Sequence, residues 1–284
     1  MKTTMKHLDI RGLVSAFAPA ILLAVALVLI GTQPAHAQAS ETTGSAAANR
    51  GMEIALEAER RDDGFADITA AMTMTLRNKH GQESTREMRN HTLEVDGDGD
   101  KTVVIFDKPN DVKGTAFLNH THKVDDDDQW LYLPALKRVK RIASSNKSGP
   151  FMGSEFAYED ISSQEIEKYT YTFVREEDVD GVPHFVIERV PVDPKSGYTR
   201  QVVSYDQVEY RVQRIDFYDR KNDLLKTLTY HGYAQYTDQF WRADRMEMVN
   251  HLTGKSTTLA FADYKFQTGL TDDDFTSSTL RRAR

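Results

Sequence analysis

Past residue 64 the chain alternates. Residues 71–77 set short apolar side chains between threonines, and beyond the His80-Gly81 turn residues 83–95 alternate again. Period-two alternation sends successive side chains to opposite faces of a strand. The pattern predicts further strands at 101–106, 167–175, 184–190, 202–206, 212–218, 224–230 and 243–252, and one after the acidic turn 125–128 that ends at Leu133-Pro134. Asp96-Gly97, Asp180-Gly181, Ser196-Gly197, Asn222-Asp223 and Thr253-Gly254 supply the turns between them. In 212–218, Val212, Arg214, Asp216 and Tyr218 share one side and Gln213, Ile215 and Phe217 the other, so the alternation is imperfect. Such spacing predicts consecutive antiparallel strands, with no βαβ rhythm, internal repeat or domain boundary. One strongly curved sheet follows, with one or two helices, or a bound ligand, covering its broad apolar side.

Helical periodicity occurs once, in 52–61. Met52, Ala55 and Leu56 share a face and Glu53 and Glu57 oppose it, with Glu59 interrupting the apolar arc. Residues 38–50 are mostly Ala, Ser, Thr, Gly and Asn, a composition suited to a flexible lead-in. Before them, Lys2, Lys6 and Arg11 precede the apolar run 13–30, and Ala35 and Ala37 fit an Ala-x-Ala processing site. This predicts a signal peptide over 1–37, cleaved near Ala37, then the segment 38–50 and a single domain over 51–284. The run is also long enough to be a retained anchor, although Pro19 and the small residues at its end favour cleavage. No cysteine follows to carry a lipid.

Net charge is −7, from 36 basic and 43 acidic residues. Loss of the leader removes more basic than acidic side chains, so the exported chain is more acidic still. That argues against a general nucleic-acid binder, which needs a basic footprint. With no cysteines, a compartment that permits disulfides goes unused, and stability must come from a core.

Chemistry concentrates in 130–161. Trp130 and Tyr132 end an aromatic strand. Lys137, Arg138, Lys140 and Arg141 then surround Val139 and Ile142. The basic run reads equally as a solvated edge strand that discourages pairing or as a patch for anionic headgroups or an acidic partner. Gly149-Pro150-Phe151-Met152-Gly153 places bulky apolar groups on a bendable loop. Such a loop either packs over the core edge or forms a lid at the mouth of an apolar cavity, anchored by Glu155, Tyr158, Glu159 and Asp160 pairing with the basic run.

No enzyme is predicted. Asp96, Asp98 and Asp100 begin like a calcium loop, but Lys101 stands where the turn glycine belongs. His120 and His122 could face one way on a strand, yet a third ligand at convincing spacing is missing. Ser154 lies outside any nucleophile elbow. No catalytic residue, metal site or cofactor is expected.

In this same region the chain resembles the LolA-like family of outer-membrane lipoprotein-sorting proteins. The likeness rests on Phe106-Asp107-Lys108-Pro109, Val112-Lys113-Gly114-Thr115-Ala116-Phe117-Leu118, Trp130-Leu131-Tyr132-Leu133-Pro134 and Arg138-Val139-Lys140-Arg141-Ile142. It is strongest at Phe151-Met152-Gly153-Ser154-Glu155-Phe156 and Tyr158-Glu159-Asp160-Ile161, and covers most of the exported chain. The resemblance implies an α+β fold, a curved, incomplete antiparallel β-barrel closed by helices around a cavity for acyl chains. It also implies a periplasmic carrier of lipid or acylated protein, with transient membrane contact and an inner-membrane proton-driven exporter as partner. Trp130, Tyr132, Phe151, Met152, Phe156 and Tyr158 become cavity or lid candidates, and Lys137, Arg138, Lys140 and Arg141 headgroup or partner-surface candidates. The alternative is a scaffold of an envelope transport complex, with a filled interior and a working surface outside.

Overall fold

The computed structural model describes residues 35–282, with side chains from residue 44 onward. The expected leader therefore lies outside the described residues, apart from Ala35, His36 and Ala37. Among the described residues no helix is long and apolar enough to cross a membrane.

Among the described residues, thirteen strands form one antiparallel sheet. They are β1 Asp67–Arg77, β2 Glu83–Leu93, β3 Lys101–Lys108, β4 Ala116–His120, β5 Asp128–Leu133, β6 Arg138–Ile142 and β7 Tyr169–Val179, then β8 Val182–Pro191, β9 Arg200–Asp206, β10 Val212–Tyr218, β11 Leu224–Tyr236, β12 Phe240–Asn250 and β13 Ser256–Phe266. Their order is β6-β5-β4-β3-β2-β1-β13-β12-β11-β10-β9-β8-β7. Chain neighbours are therefore sheet neighbours except at two places. The last strand, β13, pairs with the first, and β6 and β7 do not pair, so the barrel stays open between them. Residues 143–168, which join these two edges, form short 3-10 turns instead of a hairpin.

The sheet curves because one of its faces must meet itself. Leu131 on β5, Met88 on β2, Leu259 on β13, Ile215 on β10 and Tyr171 on β7 all join a single buried cluster. Alternation sends the other set outward. On β3, Val104 and Phe106 face the inner cluster, while Val103 and Ile105 join Ala116 and Leu118 of β4 in an outer one.

Among the described residues, two α-helices flank the sheet: α1 Ala35–Asp62 and α2 Ser277–Leu280. The first lies on the inner side, where Ile54 and Ala55 are buried in the main cluster. Gly51 permits this approach, since a Cβ there would lie 2.8 Å from the backbone of Thr172 and Phe173 on β7. The helix begins well before Met52, so 38–50, expected as a flexible lead-in, is helical instead. Its alanines, the strongest helix formers, outweigh Gly44 and the polar residues. Only α1 closes the inner side; α2 is a single turn on the outer face, where Leu280 and the preceding Phe275 cover Val103 and Leu118.

Candidate functional site

The interior is filled at one end and holds a cavity at the other. The filled end lies at the strand ends carrying Arg86, Phe106, Lys226 and Asn250, where loop 143–168 folds in as a plug. Phe151 is fully buried against Phe106, Phe117 and Tyr158, with ring centroids 5.2–6.1 Å apart. Phe156 is buried beside it. The loop can turn there because Met152 and Gly153 both take positive φ.

Polar anchors fix this plug across the interior. Lys226 Nζ lies 2.6 Å from Asp160 Oδ2 and donates to the Glu155 carbonyl at 3.0 Å. Tyr198 donates its hydroxyl to the other Asp160 oxygen at 2.8 Å. Glu159 accepts from Ser196 Oγ and the Gly197 amide, and burial raises its pKa. Glu155 accepts from Asn250 at 2.7 Å, and Arg86 donates to the Met152 carbonyl at 2.6 Å. The loop carboxylates thus engage β11, β12 and the 196–198 turn; the adjacent basic run does not hold them.

The hollow is a cavity of about 900 Å3 between the sheet and α1. Ala55, Ala58, Ile215, Met246 and Phe261 give it apolar wall. Its mouth opens at the opposite strand ends, between Asp62–Gly64 after α1, the Asp96–Asp98 turn and Lys123. The wall is not uniformly oily. Asp100 and Glu165 line it on one side, and burial pushes their carboxyls up to about 6 and about 7, the Asp100 charge adding to the shift at Glu165. Arg189, Tyr171, Tyr205 and Tyr230 line it deeper in, and burial raises each of those phenols.

The sequence candidates lie elsewhere. Trp130 and Tyr132 share strand parity and pack with the outer cluster, whereas Leu131 between them faces in. Phe151, Met152, Phe156 and Tyr158 form the plug at the closed end, because their apolar bulk is consumed by Phe106 and Phe117. None of these six borders the 900 Å3 cavity. A smaller recess of about 260 Å3 does lie at that end, beside Gly153 and Glu155.

The basic candidates stay together on the surface. Lys137 ends a 3-10 turn and Arg138, Lys140 and Arg141 belong to the edge strand β6, all exposed. Arg141 pairs with Asp128; the other three make no ion pair among the described residues. His120 and His122 take separate partners, the Phe275 carbonyl at 2.8 Å and Asp98 at 2.7 Å. Among the described residues, no three His, Asp or Glu side chains are grouped to hold a metal.

The cavity residues Arg189, Tyr205 and Tyr230 went unselected in the sequence. A signal existed, since Arg189 keeps phase with Phe185 and Ile187, the inward positions of β8.

A family model described as an uncharacterized protein matches residues 98–282. None of the curated proteins compared matches the chain. Three solved structures are similar. A domain from Vibrio parahaemolyticus, assigned by its name to outer membrane lipoprotein sorting, is 58% identical over 83% of this chain and 100% of its own, with a TM-score of 0.82. A DUF1329 family protein from Desulfovibrio piger is 29% identical over 82% of this chain and 99% of its own, TM-score 0.78. A LolA superfamily protein from Nitrosomonas europaea is 20% identical over 80% and 97%, TM-score 0.66, a likeness of fold. The chain therefore belongs to the family of outer-membrane lipoprotein-sorting proteins and has the LolA-like fold.

Proposed function

We propose that this protein is a periplasmic carrier that shields the acyl chain of a lipid or acylated protein in the 900 Å3 cavity and exchanges it with an inner-membrane proton-driven exporter. The observation that carries this reading is the hollow itself, held open between α1 and a curved sheet, with a mouth to solvent. Its volume falls within the roughly 300–1,000 Å3 usual for small-molecule sites. Cleavage near Ala37 would remove only the start of α1 and leave the part that packs on the sheet. The exposed Lys137, Arg138, Lys140 and Arg141 would bring the carrier to an anionic membrane, each cation near the surface adding about 1 kcal/mol.

A scaffold would need no hollow, and the plug alone would satisfy it. Native mass spectrometry of gently purified protein, followed by lipid extraction, separates the two. We expect reproducible lipid in the wild type and its loss in A243W, which fills the cavity wall while the protein stays folded. A wild-type protein that emerges empty, and takes up no lipid from vesicles, would overturn carriage.

A further inference from the structure

The deep end of the cavity carries a buried cation without an anion. Arg189, on the plug side of β8, is only 5% exposed. Its Nε donates to Gln201 Oε1 at 2.7 Å, its Nη2 to Gln164 Oε1 at 3.1 Å, and the guanidinium lies 4.6 Å over the Tyr169 ring. All of these partners are neutral, and among the described residues Arg189 forms no ion pair. Asp160, on the adjoining plug, is already engaged by Lys226 and Tyr198. Buried charges are normally paired, because an uncompensated ion in a low dielectric is costly. Arg189 keeps its charge at any pH the protein meets.

Phenols complete the surroundings. Tyr205 and Tyr230 line the same space, close enough for Arg189 to bear on their ionisation. Neither hydroxyl has a protein partner among the described residues, so both are free to donate. Carboxylates also line the wall, where Asp100 and Glu165 answer to each other, Lys123 and Lys168. The cavity thus presents donors at Arg189, Tyr205 and Tyr230 and acceptors at Asp100 and Glu165, with Ile215, Met246 and Phe261 as apolar wall.

We propose that the cavity floor is an anion site, in which the Arg189 guanidinium and the Tyr205 and Tyr230 hydroxyls receive the carboxylate or phosphate of an amphiphile lying head inward. The proposal rests on the carrier reading and narrows it. An acylated protein cannot place its polypeptide at the floor, so head-inward binding selects a free anionic lipid.

The test compares ligands of equal chain length on delipidated wild-type protein at pH 8, by equilibrium dialysis below micellar concentration. Laurate is expected to bind about tenfold or more tighter than dodecanol, as a charge-assisted hydrogen bond implies. Acetate and inorganic phosphate are expected not to compete at millimolar levels. R189Q should bring laurate down to the affinity of dodecanol, while Y205F, which removes one hydroxyl, should cost laurate a few-fold and dodecanol nothing. Equal binding of laurate and dodecanol to the wild type would overturn the anion site and leave carriage standing. Failure of both to bind would remove carriage as well. Acetate or phosphate competing at micromolar levels would make the floor a small-anion site and overturn the amphiphile. Should R189Q not fold, the wild-type comparison and Y205F decide.

Discussion

Removing the ammonium of Lys226 should loosen the plug and destabilise the whole protein. Lys226 Nζ lies 2.6 Å from Asp160, both side chains are under 5% exposed, and the same ammonium holds the Glu155 carbonyl and sits about 5 Å from the Tyr198 and Phe217 rings. The net worth of such a pair is small, because desolvating two ions offsets their attraction. Breaking it is different: the remaining carboxylate stays buried without its counter-ion, at a cost of about 3–5 kcal/mol. Methionine keeps most of the volume, so little cavity term is added. Tyr198 and the Ala157 amide still donate to Asp160, which puts K226M near the lower end, about 3 kcal/mol. Urea unfolding gives the number from the shift in midpoint at unchanged slope, and hydrogen exchange should show 151–160 opening first. The double variant D160N/K226M removes both charges and should recover all but about 1 kcal/mol. A loss below 1 kcal/mol in K226M, or a double variant no more stable than the weaker single one, would refute the assignment of the plug's stability to this pair.

G51V places a branched side chain where a bare Cβ already meets β7 backbone at 2.8 Å. Overpacking of about 1–3 kcal/mol exceeds the few tenths that valine gains over glycine in a helix, so thermal unfolding should show a lower midpoint and lipid uptake should fall with it. E165Q tests the cavity carboxylate. Because burial raises the folded-state pKa to about 7, the folded protein holds the proton more tightly than the unfolded chain between about pH 4.5 and 7, and stability falls as pH rises through that window. The glutamine variant should therefore match wild type at pH 4.5 and exceed it at pH 8, by about 1–2 kcal/mol after allowing for water in the open cavity. Equal stability at both pH values would mean that the carboxyl is solvated.

Ten of the thirteen strands were legible as alternation or turn-bounded runs, because one face of each meets the core and the other meets water. Each of the three that were not has its own physical cause. β4 is buried on both faces, so Ala116-Phe117-Leu118 shows a continuous apolar run without a period. β6 is an edge strand whose outward charges fit strand and helix alike. β13 closes the sheet against β1, a pairing between chain ends that no local pattern encodes, and Asp263 at positive φ breaks its rhythm. The site was less legible than the fold. Trp130 and Tyr132 looked like cavity residues because aromatic alternation gives two parities without saying which is inward. Phe151 and Phe156 looked like a lid because apolar residues on a glycine loop fit a plug and a door equally. Arg189 was the one readable clue, a charge at an inward position of an otherwise apolar phase.

The two ends of the interior differ in what holds them, and that difference indicates which end moves. Around the plug the anchors are buried: Lys226 with Asp160, Tyr198 with Asp160, and Phe151 among three rings. Around the mouth they are exposed. The C-terminal end of α1 is tied by Arg61 to Glu209 and by Arg242 to Asp62, pairs with one or both partners open to solvent, and each such pair contributes at most about 1 kcal/mol. A carrier needs this asymmetry. At roughly 0.8 kcal/mol per buried methylene, a wholly apolar pocket would hold a long chain too firmly to release, and a rigid mouth would keep it from entering. Here the polar floor and the buried carboxyls reduce the oily area, and the weakest contacts surround the opening. In the carriage we propose, cargo would enter and leave past α1, at the end of the molecule opposite Phe151, while the plug stays in place.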